Sequence, residues 1–527
     1  MSKRKTSITI KDEMFPNPFI DSIEYQDKRL PEIKCTLENE MREFSGIIRE
    51  KPEWWIKMKD KNIISKWKKE SEDYINKEAF QYILDELEYY LKRKQGPIEI
   101  SKIDGIWLAD NIIPNELKTL LEKQIRILEN IPESERDYHP DTNNQVINLI
   151  HPSLYCLVYG KTKELKEQKK PSLSMMTYGK VIKSNGRKEA YYESKKFQWI
   201  PSEFVISKDG KVKIDSYINN LNPIKHKELY KTIGFIFEKF VPLFENVLTD
   251  LRNPLSNRIT ADAQNWYKGT EYEESDYDDP DFMDNRTPND PDVPKYKPHK
   301  IPKTINLKGN TLQVIVKISN IILTPKQPKY NGGSWHVEGM KNESIVASGI
   351  YYWKSENITE SKLSFRTAVN DPDYQQNDNS GVSKIYSKHD EDPMNQFLGS
   401  VITKEDRCIC FPNLFQHQLQ PFELKDKTRP GIRKILVFFL VDPNICILST
   451  KFIPPQQKEW FVDVLWKIFP FLMLPREIIE IIVGFMKWSM TLEDAKNYRK
   501  ELMKERKVFI KKNTEEVFER KFSLCEH

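Results

Sequence analysis

Four residues in the second half of the chain have the types and spacing to do chemistry together: His336, Glu338, His417 and Arg433. Two imidazoles and one carboxylate on one side of a divalent metal make a facial site, of the kind that holds Fe(II) and leaves positions open for substrate and O₂. An H-x-D/E pair on a strand supplies two of the three, because residues i and i+2 of a strand point the same way.

The pair alone says little. The chain has only 8 histidines, yet His139, His226, His336 and His389 all begin an H-x-D/E. His226 and Glu228 open a long helical pattern, where i and i+2 diverge by roughly 200°. His139 and Asp141 flank Pro140 in a turn-like stretch, and His389 and Glu391 lie in a polar insertion. Only His336-Val337-Glu338 reads as part of a strand, Gly333–Gly339, entered through the turn Gly332-Gly333. A third ligand follows in CICFPNLFQHQLQPFEL. There Cys408–Phe411 reads as a strand, Pro412-Asn413 as a turn, and His417 as the start of the next strand, so a hairpin could bring His417 opposite His336.

Arg433 opens the last apolar strand, in RPGIRKILVFFLVDP. One row is Arg433, Ile435, Val437 and Phe439; the other is Lys434, Leu436, Phe438 and Leu440. Both are apolar beyond the first residue, which predicts burial on both faces: an interior on one side and covering helices on the other. A guanidinium at the mouth of an apolar row needs an anion, and a ligand carboxylate suits its fork. Arg429, in the turn before Pro430-Gly431, is the rival for that role. Tyr351, Tyr352, Trp353 and Arg366 lie on neighbouring strands, where packing is the simpler expectation than pocket lining.

The elements that must position these residues change character along the chain. In the first half, Glu78–Lys92, Asn115–Asn130 and His226–Leu251 carry apolar residues at helical spacing, the last with a kink expected at Pro242. Glu271–Asp292 holds ten acidic residues and three prolines, the composition of a loose loop rather than a Ca²⁺ site, since the 12-residue pattern with its glycine is missing. After it the period becomes two. Thr311–Leu323, Gly333–Gly339, Ile345–Trp353, Leu363–Val369, Arg407–Phe411, His417–Leu424 and Arg433–Val441 read as strands separated by Gly, Pro, Asn and Asp. That number at short spacing suggests a barrel or jelly roll, with Asn370–Gln396 as an inserted lid or binding loop. Gln456–Phe471, Arg476–Lys487 and Thr491–Lys512 return to helical spacing; LPREIIEIIVGFM, with Pro475 before its helix, faintly resembles an F-box, and packing on the barrel is the simpler expectation.

Composition removes several function classes. Over 527 residues, 83 basic side chains nearly balance 78 acidic ones, for a net charge of +5, so nucleic acid is not the expected partner. Lys51–Lys69, with Trp54, Trp55 and Trp67, reads as an amphipathic helix rather than a nucleic-acid surface. The 6 cysteines are scattered without a C-x-x-C, and Cys408 and Cys410 share a strand face as buried small residues. No apolar run is long enough to span a bilayer and the N-terminus lacks an apolar core, which together suggest an intracellular protein, cytoplasmic or nuclear.

Strand H-x-D/E, a distal histidine after F-P-N, and an arginine opening the last apolar strand resemble the 2-oxoglutarate- and Fe(II)-dependent dioxygenases, closest to their prolyl-hydroxylase-like branch, over Thr311–Pro443. The chain departs by carrying Glu338 where most of that superfamily has aspartate. The resemblance implies an α+β protein: a double-stranded β-helix (jelly-roll) barrel wrapped by a mainly helical N-terminal half and C-terminal helices. It implies Fe(II) on His336, Glu338 and His417, 2-oxoglutarate as co-substrate on Arg433, and hydroxylation or demethylation of an organic or protein substrate. The segments HPSLYCLVYGKT, FQWIPSEF, GGSWHVEGMKNESIVASGIYYW, ENITESKLSFR and GIRKILVFFLVDP are also similar to a large eukaryotic family catalogued as domain of unknown function 4246. The expected organisation is a mainly helical region over 1–265, an acidic Pro-rich loop over 266–300, the oxygenase-like domain over 301–455 and C-terminal helices over 456–527. The alternative is a non-enzymatic scaffold that keeps the barrel and binds partners through its helical mass.

Overall fold

The computed structural model describes residues 14–20, 23, 26–165, 178–183, 191–269, 286–375, 378–486 and 489–524. Residues 270–285 of the expected acidic loop lie outside the described residues, as does Cys525.

The protein mixes helices with a large antiparallel sheet that does not close on itself. Its strands run in the order Ile98–Ile100, Trp107–Asp110, Arg407–Pro412, Ile345–Glu356, Gly431–Val441, Thr311–Leu323, Ser202–Ile206 and Val212–Ile214, with Val146–Ile150 also paired to Thr311–Leu323. A smaller sheet, Asn395–Ile402, Lys362–Ala368 and Gln416–Leu419, lies against it. Ile350, Val437 and Phe439 from the large sheet share one core with Leu363, Phe365 and Val401 from the small one. The opposite row of the large sheet, including Leu436, Phe438 and Leu440, packs with Phe237, Phe240 and Phe244. The two apolar rows of Gly431–Val441 thus face a sheet on one side and a helix on the other, as their alternation predicts.

That helix, Lys227–Arg252, runs through Pro242 without interruption. It lies close on the sheet at Gly349, where a Cβ would come within 2.7 Å of the Phe240 ring, so a side chain there would lift the helix. The helices Lys77–Arg93 and Asn115–Glu129 fall where apolar spacing puts them, within a residue at each end.

The first half carries its long helices but also short strands, most of which the sequence reading did not place. It contributes five of the nine strands of the large sheet. Each is only 3 to 5 residues long, too short for a period to show; three of them pair with Thr311–Leu323 or Arg407–Pro412, and the other two, Ile98–Ile100 and Val212–Ile214, pair with those. Gly333–Gly339 is not a strand either: its one ladder contact is the isolated bridge between His336 and His417.

The insertion after Val369 holds the helix Asn379–Tyr386 rather than an open loop. Asp378 caps it and accepts from Tyr267, while Gln375 donates to the Ala263 carbonyl, so it is tied into the body of the protein. At the C-terminus the expected Gln456–Phe471 helix is shorter, Lys458–Leu465, and Leu492–Asn513 is capped by Thr491 and Asp494. Among the described residues no helix is long and apolar enough to cross a membrane.

Candidate metal centre

The segment carrying His336 is laid against the small sheet by its glycines. Gly332 has φ +88°, and a Cβ there would meet the Leu419 carbonyl at 2.7 Å. Gly333 N–H donates to that carbonyl at 2.9 Å, and Gln418 Nε2 donates to the Gly333 carbonyl. His336 and His417 then exchange backbone hydrogen bonds, 3.2 Å one way and 3.0 Å the other. Paired residues of an antiparallel bridge present their side chains on the same face. Their imidazole centroids are 4.4 Å apart.

Glu338, two residues on, is aimed by Asn413. The Asn413 side chain accepts from Glu338 N–H at 2.8 Å and donates to the Glu338 and Ile345 carbonyls at 2.9 and 3.0 Å. Glu338 Oε1 is 3.4 Å from His417 Nε2 and 3.7 Å from His336 Nε2. One atom from each of the three side chains lies within 4.8 Å of the others. Neighbouring ligands of a metal with bonds of about 2.1 Å stand about 3 Å apart, so a bound cation would draw the three side chains somewhat closer together than they stand. His336 Nδ1 sits 2.8 Å from the Ser334 carbonyl, which favours the tautomer with a proton there and a lone pair on Nε2. His417 Nδ1 is buried without a hydrogen bond.

The electrostatics ask for positive charge at this point. Burial pushes the Glu338 carboxyl up, but the two imidazoles outweigh it and hold it well below the ordinary range. Burial pulls His336 down, and the carboxylate with the Ser334 carbonyl reverses that; His417 is lowered by burial and by His336. A proton on His336 would partly meet the need, and a divalent ion would meet it better.

Arg433 is 3% exposed on the row facing the small sheet. Its Nη1 donates to Ser361 Oγ at 2.8 Å, and its guanidinium lies over the rings of Tyr352 and Phe422 at 4.7 and 5.5 Å. Its Nε is buried with no partner, and among the described residues no carboxylate pairs with it. Arg429 is exposed and bonded to Asp426 at 2.8 Å. Of the other candidates only Tyr352 joins the core between the sheets. Tyr351 and Trp353 face the helix side, and Arg366 is paired with Gln416 and Glu519.

The remaining H-x-D/E pairs stay apart from the triad. His226 precedes the first turn of its helix, where Glu228 pairs with Lys231, and His389 pairs with Asp392 at the surface. Cys408 and Cys410 are buried and their thiols pushed up, as small core residues. Trp54 and Trp67 are buried as well.

Two residues of this region escaped sequence reasoning. Asn413 looked like turn chemistry, and the F-P-N triplet carries no sign of which backbone its amide will hold. Lys317 sits opposite Val437 in the Thr311–Leu323 strand, on the row of Ile315 that faces the interior. Burial lowers its amine and the Glu338 carboxylate opposes that. A lone lysine in TLQVIVKISNIIL reads as the solvent face of a strand, and nothing local says otherwise.

Comparison with known proteins decides the family. The family described as Protein of unknown function (DUF4246) matches residues 77–464, and Domain of unknown function DUF4246, N-terminal, matches residues 2–70. The chain belongs to this family. No curated protein matches it in sequence. Among solved structures it is similar to an Fe(II)/(alpha)ketoglutarate-dependent dioxygenase, TqaL, at 11% identity and TM-score 0.28, covering 71% of this chain and 94% of that one. It is similar also to IDO from Bacillus thuringiensis, at 9% identity and TM-score 0.24, covering 64% and 90%. A bsmA homolog from Methylobium petroleophilum PM1 matches at 8% identity and TM-score 0.25, covering 62% and 85%.

Proposed function

We propose that this protein is an Fe(II)- and 2-oxoglutarate-dependent oxygenase that hydroxylates or demethylates an organic or protein substrate, on a double-stranded β-helix. The observation that carries the reading is Arg433: a buried guanidinium without an acidic partner among the described residues, in the same two-sheet interior on which His336, Glu338 and His417 converge. A buried charge without a counter-ion is costly, and a ligand carboxylate would remove that cost.

The chain order supports the jelly-roll reading. From Thr311 to Val441, leaving aside the separate two-stranded pair Lys329–Tyr330 and Phe422–Glu423, successive extended segments fall on the large, small, large, small, small, large, small and large sheets, counting the bridged His336 segment with the small one. In this reading residues 301–455 carry the oxygenase core, with N-terminal strands widening its large sheet.

His336, Glu338 and His417 would hold the iron, and Arg433, its guanidinium over the Tyr352 ring, would grip the distal carboxylate of 2-oxoglutarate. With O₂, the bound iron and co-substrate supply decarboxylation to succinate and insertion of one oxygen atom into a C–H bond. The protein's share is placement. Asn413 holds the Glu338 backbone from both sides, the Ser334 carbonyl orients His336, and Phe365 and Phe411 pack beside His417 and keep water off it.

Anaerobic titration with Fe(II) and 2-oxoglutarate tests this directly. A weak metal-to-ligand absorption band toward the red end of the visible is expected, and its absence in folded, iron-loaded protein would sink the reading. Arg433→Ala is expected to weaken 2-oxoglutarate binding by about 2–5 kcal/mol; unchanged affinity would remove Arg433 from the role.

A further inference from the structure

On the oxygenase reading of this site, we infer that the substrate carries an anionic group, a carboxylate or phosphate, and that Lys317 receives it. The interior holds two cationic side chains without an acidic partner at ion-pairing distance among the described residues, Arg433 and Lys317. Their surroundings do not overlap. Arg433 meets Ser361, Tyr352, Phe422 and Tyr330. Lys317 acts electrostatically on Glu338, the two triad histidines, His139 and His151.

Register separates them further. Arg433 is opposite Ile321, and Lys317 is four residues along that strand, about 13 Å at the rise of a strand. A five-carbon diacid reaching from the triad to Arg433 leaves Lys317 unused. Lys317 stands on the interior-facing row of its strand, and among the described residues no carboxylate lies at ion-pairing distance from it.

The neighbouring cations are already committed. Arg499 is paired with Asp137 at 2.5 Å and Arg506 with Glu343 at 2.6 Å. Beside Lys317 the neutral imidazoles of His139 and His151 lie 5.3 Å apart, centroid to centroid. His139 Nδ1 is buried with no partner, a second polar group free for the same ligand. Lysine, a point charge with three rotatable donors, accepts either a carboxylate or a phosphate.

The test uses the full chain with Mn(II) and 2-oxoglutarate, titrated calorimetrically with phenylacetate, phenyl phosphate and neutral phenylacetamide. The better anion is expected to bind about 10-fold or more tightly than the amide, and which anion it is names the group. Lys317→Met should abolish the preference, Lys317→Arg should retain it, and both should leave 2-oxoglutarate affinity unchanged, with melting curves confirming that each variant folds. Equal binding of anion and amide by the unaltered protein overturns the inference, as does a preference that survives in Lys317→Met. Loss of 2-oxoglutarate binding in Lys317→Met assigns the lysine to the co-substrate, overturning the inference while the oxygenase reading stands. If 2-oxoglutarate fails to bind the unaltered protein, that reading fails instead, and the anion titration repeated without it still decides what Lys317 binds.

Discussion

Two clusters of buried charge sit in this protein and differ in one respect. In the N-terminal half, Arg258 is saturated with acidic partners: its Nε meets Glu86 at 2.9 Å, its Nη2 meets Tyr90 and Asp104 at 2.9 and 3.1 Å, and its Nη1 lies 3.6 Å from Glu38. Glu38 Oε2 also accepts from the Arg258 and Ile259 N–H groups, while Glu38 Oε1 and Glu86 Oε2 make no hydrogen bond. Between the two sheets, by contrast, Arg433 and Lys317 have no acid at ion-pairing distance among the described residues, and three ligand-type side chains crowd together. A saturated network is what a fold needs to tolerate buried charge. An unsaturated one is retained at a cost to stability, and something outside the chain must satisfy it.

Breaking each cluster should therefore give opposite results. Arg258→Met leaves the buried Glu38 and Glu86 without their cation and should cost about 3–5 kcal/mol in denaturant unfolding. Arg433→Met removes a charge with no counter-ion, so unfolding free energy should fall by less than about 1 kcal/mol or rise. A loss as large as that of Arg258→Met would mean that Arg433 is structural.

The rim of the unsaturated cluster offers a pH test. Burial, with the Lys317 charge adding to it, lowers His139 to about 4, whereas an unfolded histidine titrates near 6.5. Between those values the unfolded chain holds the extra proton, so stability falls as pH drops from about 6.5 to about 4. His139→Asn should flatten that limb by up to about 3 kcal/mol. Unfolding curves at both ends of the window check it, and an unchanged limb would place His139 in contact with water. The smallest effect belongs to Arg429→Ala. It breaks one exposed pair and should change stability by no more than about 1 kcal/mol, with no change in 2-oxoglutarate affinity.

The saturated cluster was invisible in the sequence, since Glu38, Glu86, Asp104 and Arg258 are spread over more than two hundred residues with no motif among them. The unsaturated one was half visible. Residue type and spacing singled out His336, Glu338, His417 and Arg433, because few residues can ligate a metal and alternation predicts which face of Gly431–Val441 is covered. The expected strand around His336 was wrong in form and right in effect. One bridge, set by Gly332 and Gly333, aligns the two histidines as a strand would.

Local pattern, then, determined the period of the elements and the short list of reactive residues, because side-chain direction repeats every two residues in a strand and every 3.6 in a helix. Only the tertiary structure decided which face of Thr311–Leu323 turns Lys317 inward, which N-terminal strands join the large sheet, and that Asn413 grips Glu338. Those outcomes depend on partners far apart in the chain, and whether a buried charge is paired depends on all of its neighbours at once.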